Sequence, residues 1–129
     1  MDVQEQELEQ ERAGFEAVNA QRLLAALDGD RELLLELIGL YLRDAPGMCE
    51  RLRLAAERAD ATAVALAAHV LKGSVANFGV SPLYESARTF EHRARAGDLS
   101  GASEHMARIE RRAKAFEAAL LRLRRELEP

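Results

Sequence analysis

The sequence predicts an all-α fold: an antiparallel up-down four-helix bundle with an additional short N-terminal helix. Three observations predict it. Ala, Leu, Glu, Arg and Gln dominate, whereas aromatic residues are only 5 % and tryptophan is absent, a balance that favours helix over sheet. Apolar residues recur at steps of three and four, most clearly at Ala102, Met106, Ile109, Ala113, Phe116, Leu120, Leu123 and Leu127, the spacing of a packed bundle seam. Cap and turn residues cut the chain into helix-length pieces with short connections, which makes successive helices antiparallel neighbours. At 129 residues, 48 % hydrophobic and 31 % charged, the chain suits one domain with a real core.

The elements follow in order. Residues 1–14 are rich in Glu and Gln with few apolar positions and read as a charged extension, frayed or helical. The domain proper is assigned to 15–129. Phe15, Val18, Leu23, Leu24 and Leu27 suggest a short amphipathic helix ending at Asp28-Gly29. Asp30 is placed as an N-cap before Leu33, Leu34, Leu37, Ile38, Leu40 and Tyr41. Pro46-Gly47 interrupts that run, yet Met48, Leu52, Ala55 and Ala59 resume a compatible stripe. One long helix kinked near Pro46 is expected, two short helices being the alternative. Asp60 caps the next helix, over 61–78, which Gly79 closes. Ser81-Pro82 supplies a cap followed by proline at the first helical position, and Leu83, Ala87, Phe90 and Ala94 mark that helix's buried face before the turn at Gly97-Asp98.

Composition excludes several classes of function. A net charge of −4 argues against a general nucleic-acid binder. The single Cys49 rules out an internal disulfide framework and a cysteine-rich zinc site. No apolar run approaches the roughly 20 residues of a membrane span, and the N-terminus is too acidic for a signal peptide. A cytoplasmic helical domain, monomeric and free of membrane and nucleic acid, is expected.

Function surfaces in the third helix. On a wheel of about 100° per residue with His69 at the origin, Val64, Ala67, Leu71, Val75 and Phe78 fall on the far side, so His69 is expected to point away from the core. Its neighbours are Thr62, Ala65, Leu66, Lys72, Gly73 and Ala76. Glycine in a helix costs about 1 kcal/mol relative to alanine, and Gly73 lies one turn after His69 on the same face. Access explains it: small residues leave the imidazole open to another molecule. Lys72 favours the neutral, nucleophilic ring by charge repulsion and would attract a phosphoryl group once attached. It is one of only two lysines among 18 basic residues.

The segment His69-Val70-Leu71-Lys72-Gly73-Ser74-Val75-Ala76-Asn77-Phe78-Gly79-Val80 resembles the signature of histidine-containing phosphotransfer (HPt) domains. Leu27-Asp28-Gly29-Asp30, Ala67-Ala68 and Phe90-Glu91 followed by Ala94-Arg95-Ala96-Gly97-Asp98 extend the resemblance to roughly residues 15–125. Val75 and Val80 replace the small residues often found there, a change of packing rather than chemistry. The resemblance implies a phosphorelay intermediate. His69 would accept a phosphoryl group on Nε2 from a receiver-domain aspartyl phosphate and pass it to another receiver aspartate, reversibly. Lys72 would stabilise the phosphate and Gly73 would give clearance. The implied partners are receiver domains of response regulators or hybrid sensor histidine kinases. No cofactor is expected on this chain, since Mg2+ and acid–base chemistry reside in the receiver. The absence of a P-loop, a Gly-rich ATP lid and an acidic metal cluster agrees with a carrier that is not itself an ATP-dependent kinase.

Thr62, Ala65, Leu66, Ala76 and Asn77 are expected in or near the docking surface, with Arg95 as a further contact to phosphate or to an acidic receiver site. Ser74 is expected to turn towards the core. His92 and His105, among Arg, Glu and Ser, read as ordinary surface histidines, and the arginines at 108, 111, 112, 122, 124 and 125 as solvated charges. The competing function is a helical adaptor that binds a receiver or histidine kinase without being phosphorylated. The chain runs from Met1 to just beyond the last heptad, which is expected of a freestanding protein.

Overall fold

The computed structural model describes residues 2–6, Val18 and residues 20–128. The extension over 1–14 and the expected helix start at Phe15 therefore lie largely outside the described residues. Five helices follow a single exposed turn at residues 3–6: α1 (Ala20–Ala26), α2 (Arg31–Glu57), α3 (Ala61–Ala76), α4 (Pro82–Arg95) and α5 (Ala102–Leu127). No strand is present among the described residues.

The caps form as the side-chain chemistry requires. The carboxylate of Asp30 accepts from the Leu33 N–H at 3.0 Å, that of Asp60 from the Ala63 N–H at 3.1 Å, and the Ser81 hydroxyl from the Tyr84 N–H at 3.2 Å. Each satisfies a donor that the first helical turn leaves unpaired. Between α2 and α3 the backbone reverses through Ala59 at φ 53, with the Asp60 N–H returning to the Ala55 carbonyl at 3.2 Å. That left-handed residue sets Asp60 where it can cap the histidine helix. Asp60→Ala should lower stability by about 1 kcal/mol, read as a fall in thermal midpoint with the fold retained.

Pro46 lies inside α2, which runs unbroken from Arg31 to Glu57. The two-helix alternative is thus excluded, because the apolar stripe on both sides of the proline packs on one core. Helices α2, α3, α4 and α5 form a ring in which each packs on its chain neighbours and α5 closes back on α2, while α1 lies against α2 and α5. This is the up-down bundle with an extra N-terminal helix. Ile38, Leu52, Leu71, Leu83, Phe90, Ile109, Phe116 and Leu120 are fully buried at its centre. Tyr41, Phe78 and Phe116 meet edge to face, with ring centroids 5.1–6.0 Å apart, the arrangement that aromatic quadrupoles favour.

One expectation about α3 is corrected. Its buried residues are Val64, Ala65, Ala68, Leu71 and Val75, an arc whose middle lies about 110° from His69 on a helical wheel, not opposite it. The reason is tertiary. Helix α3 is flanked by α2 on one side and α4 on the other, and the buried arc between them takes in Ala65. His69 stands at the edge of the buried arc, beside α4.

Candidate functional site

The His69 side chain is 55 % exposed, and what it meets is the one acid that α4 buries. The buried residues of α4 are Leu83, Ser86, Ala87, Phe90, Glu91 and Ala94, the full-width stripe of a core-facing helix. A glutamate on that stripe must be paired. Glu91, with its side chain 7 % exposed, has Oε2 at 3.0 Å from His69 Nδ1, and Arg95 Nη2 and Nε approach the same oxygen at 2.7 Å and 2.9 Å. Lys72 Nζ lies 2.8 Å from Oε1 as a charge contact. Burial alone would push the Glu91 carboxyl up, but Lys72, Arg95 and His69 together outweigh it and hold the group down at about 2.

That balance fixes the state of the ring. A carboxylate ionised at all ordinary pH carries no hydrogen, so the hydrogen in the His69–Glu91 contact belongs to Nδ1. In the neutral imidazole the lone pair then sits on Nε2. The carboxylate also orients the ring and can offset positive charge that develops on it. The arrangement can present an exposed, oriented nitrogen nucleophile.

The remaining site residues sort by exposure. Thr62, Leu66, Gly73, Ala76 and Asn77 are exposed on the His69 side, as expected. Ala65 is not: at 7 % exposure it packs into the core and is withdrawn as a docking residue. Lys72 is half-buried against Glu91, and Arg95 meets Glu91 from the next turn of α4. A Cβ placed on Gly73 would meet nothing within 4 Å. The chain's own packing therefore does not require glycine there. Ser74 does turn inward, but its hydroxyl reaches the Met48 sulfur at 3.3 Å on α2, and it supports α3 from the flank away from Glu91.

Sequence reasoning gave Glu91 no role, although its place on an apolar stripe was a readable signal. It also passed over Val70 and Leu54. With Leu66 these are 45 %, 40 % and 66 % exposed, and all three line a groove between α2 and α3 bordered by Arg51 and Arg58. Two further readings are corrected. Arg112 is not a solvated charge: it donates to the Pro82 carbonyl at 3.1 Å and to the buried Ser86 hydroxyl at 2.6 Å, tying α5 to α4. His105 is half-buried and stacks on Phe90 at 5.2 Å, and burial leads the effects that lower its pKa. His92 is exposed, as expected.

Among the described residues no group of three His, Cys, Asp or Glu side chains could hold a metal ion, and no helix is long and apolar enough to cross a membrane. Fold and site together define a class: a helical bundle presenting one exposed, carboxylate-backed histidine from the middle of a core helix. The family model of the Hpt domain matches residues 36–126, so the chain belongs to the Hpt domain family. Hpt domains perform histidine phosphotransfer in two-component signalling, work with receiver domains, and are phosphocarrier modules rather than kinases. No curated protein and no solved structure matches the chain.

Proposed function

We propose that His69 is the phosphoacceptor of this Hpt domain and carries a phosphoryl group between receiver aspartates. The observation that carries the reading is the Nδ1–Glu91 hydrogen bond, which puts the lone pair on Nε2 of an exposed ring. The Nε2 lone pair attacks the phosphorus of an aspartyl phosphate, an N–P bond forms, and the P–O bond to the aspartate breaks to release its carboxylate. The Nδ1 hydrogen stays in place, and Glu91 offsets the charge gained by the ring. Return to a second aspartate reverses each step. The transition state is loose, so positioning and nearby positive charge do most of the catalytic work.

Lys72 and Arg95, both held by Glu91, are the cations within reach of a phosphoryl group on this face, and Lys72 is the phosphate partner. Magnesium belongs to the receiver, and this chain supplies no cofactor. The receiver docks over Thr62, Leu66, Gly73, Ala76 and Asn77, with Val70 and Leu54 extending the apolar contact and Arg51 and Arg58 at its rim, where charge sets partner choice. The protein acts as a cytoplasmic monomer.

Gly73 tests the clearance role. Gly73→Ala should raise stability by about 1 kcal/mol, because the helix gains propensity and the added Cβ meets no atom. Gly73→Leu should keep the fold by circular dichroism and lose receiver docking. A Leu variant that docks and accepts phosphoryl normally would remove the clearance role. The proposal as a whole is tested by phosphotransfer from phosphorylated receivers to the wild-type chain and to His69→Gln.

A further inference from the structure

Charge is arranged unevenly around the His69 face. No Asp, Glu or Arg occurs from Ala61 to Val80, and Lys72 is the one lysine there. Arginines stand on either side of that uncharged strip. On the α2 edge, Arg51 and Arg58 are exposed about two turns, or roughly 10 Å, apart, and they border the groove that Leu54, Leu66 and Val70 leave open. Neither is bridged to an acid among the described residues. Asp44, whose charge Arg51 feels, is held by Arg43 at 3.0 Å. The Ser74 hydroxyl, 3.3 Å from the Met48 sulfur, sets this stretch of α2 beside the turn of α3 that carries Gly73. On the α4 edge Arg88 and Arg95 repeat the spacing. They lie about 60° and 40° round the helix from Glu91, on its solvent side, with side chains 64 % and 58 % exposed. The other acids of the face are already engaged: Glu91 by Lys72, Arg95 and His69, Glu85 by Arg88 at 3.6 Å, and Asp60 by the Ala63 N–H. An apolar strip between two cationic rows results, on a chain whose net charge is −4.

We propose that the receiver this chain serves carries carboxylates on both edges of its docking face, one set meeting Arg51 and Arg58 and the other Arg88 and Arg95, and that these matched rows select it among receivers. The inference rests on the relay reading and adds the chemistry of the partner to it. An apolar strip alone would accept any receiver with an apolar counterpart. Cationic rows at its edges steer an acidic partner in and penalise one with basic side chains at the same places. Because the rows stand on different helices either side of α3, they fix the rotation of the partner as well as its position. A receiver turned a quarter-turn about His69 would meet neither row squarely. Exposed ion pairs are individually weak and act mainly on the rate of encounter, which suits a carrier that must release each partner.

The test ranks purified receiver domains from the same cell by how fast they label the full chain, then measures association and dissociation rates with the fastest. That receiver should be acid-edged, and association should slow about tenfold as salt rises from about 0.05 M to 0.5 M. Arg51→Glu with Arg58→Glu should slow association about tenfold and change dissociation less. Arg88→Glu should act in the same direction but less, since Glu85 already shares its charge. Arg108→Glu with Arg125→Glu makes the same change of net charge on exposed positions of α5, which does not pack on α3, and should slow association less than about twofold. Lysines in place of the receiver's facing acids should restore the rate of the Arg51 and Arg58 double variant. Glutamine replaces glutamate in any variant that fails to fold by circular dichroism. A double variant no slower than the α5 control, or a fastest receiver with uncharged or basic edges, would overturn the proposal and leave the relay reading standing. Labelling by no receiver, or labelling that ignores His69, would remove the relay reading and this inference with it.

Discussion

His69→Gln should accept no phosphoryl group from any receiver that labels the wild-type chain. Glutamine keeps a polar side chain on an exposed position, so the fold and the docking face survive while the nucleophile is lost. The expected change is complete loss of transfer rather than a reduced rate, because His92 is exposed without a buried carboxylate partner and His105 is packed on Phe90. The wild-type label should be acid-labile and alkali-stable, as a phosphoramidate is. Labelling that persists in His69→Gln would move the acceptor elsewhere. Receiver binding without transfer, equal in both proteins, would instead make the chain a helical adaptor.

Glu91 carries the second large effect. Glu91→Gln keeps an oxygen for the Nδ1 hydrogen but loses the charge that holds Lys72 and Arg95 and offsets the phosphorylated ring. Transfer should fall roughly 10–100-fold, the usual scale for a group that orients a functional histidine, and further in Glu91→Ala. The same carboxylate makes stability depend on pH. Its folded value of about 2 lies below its ordinary 4.5, so its contribution is complete above pH 4.5 and is lost as pH falls towards 2. The displacement corresponds to on the order of 3 kcal/mol. Denaturant melts of wild type should weaken across that acid window, whereas those of Glu91→Gln should lack this contribution and start lower at neutral pH. Equal transfer rates at pH 7, with both proteins fully folded, would reduce Glu91 to a structural role.

Much of this was legible in the residue order because it rests on local chemistry. Asp30, Asp60 and Ser81 are caps whatever packs beyond them, and the three-and-four spacing of α5 needs only helical geometry. His69 and its Lys-Gly neighbours lie within five residues, so one helix wheel brings them together. The wheel failed where a second helix intervened. Ala65, counted among the residues around the ring, is buried in the folded bundle, and Arg112, read as a solvated charge, is bound to Pro82 and Ser86.

The sequence by itself therefore determined the bundle, the caps at Asp30, Asp60 and Ser81, and the histidine at its surface. The resemblance implied Nε2 as the reacting nitrogen, and only the tertiary structure supplied a physical reason, an Nδ1 hydrogen held by Glu91. His69 and Glu91 are 22 residues apart and belong to different helices, so no periodicity within either one connects them. The packing of α4 on α3 takes Glu91 out of water and surrounds it with His69, Lys72 and Arg95. It is that burial, offset by three positively polarised donors, that keeps the carboxylate charged and the Nδ1 hydrogen in place.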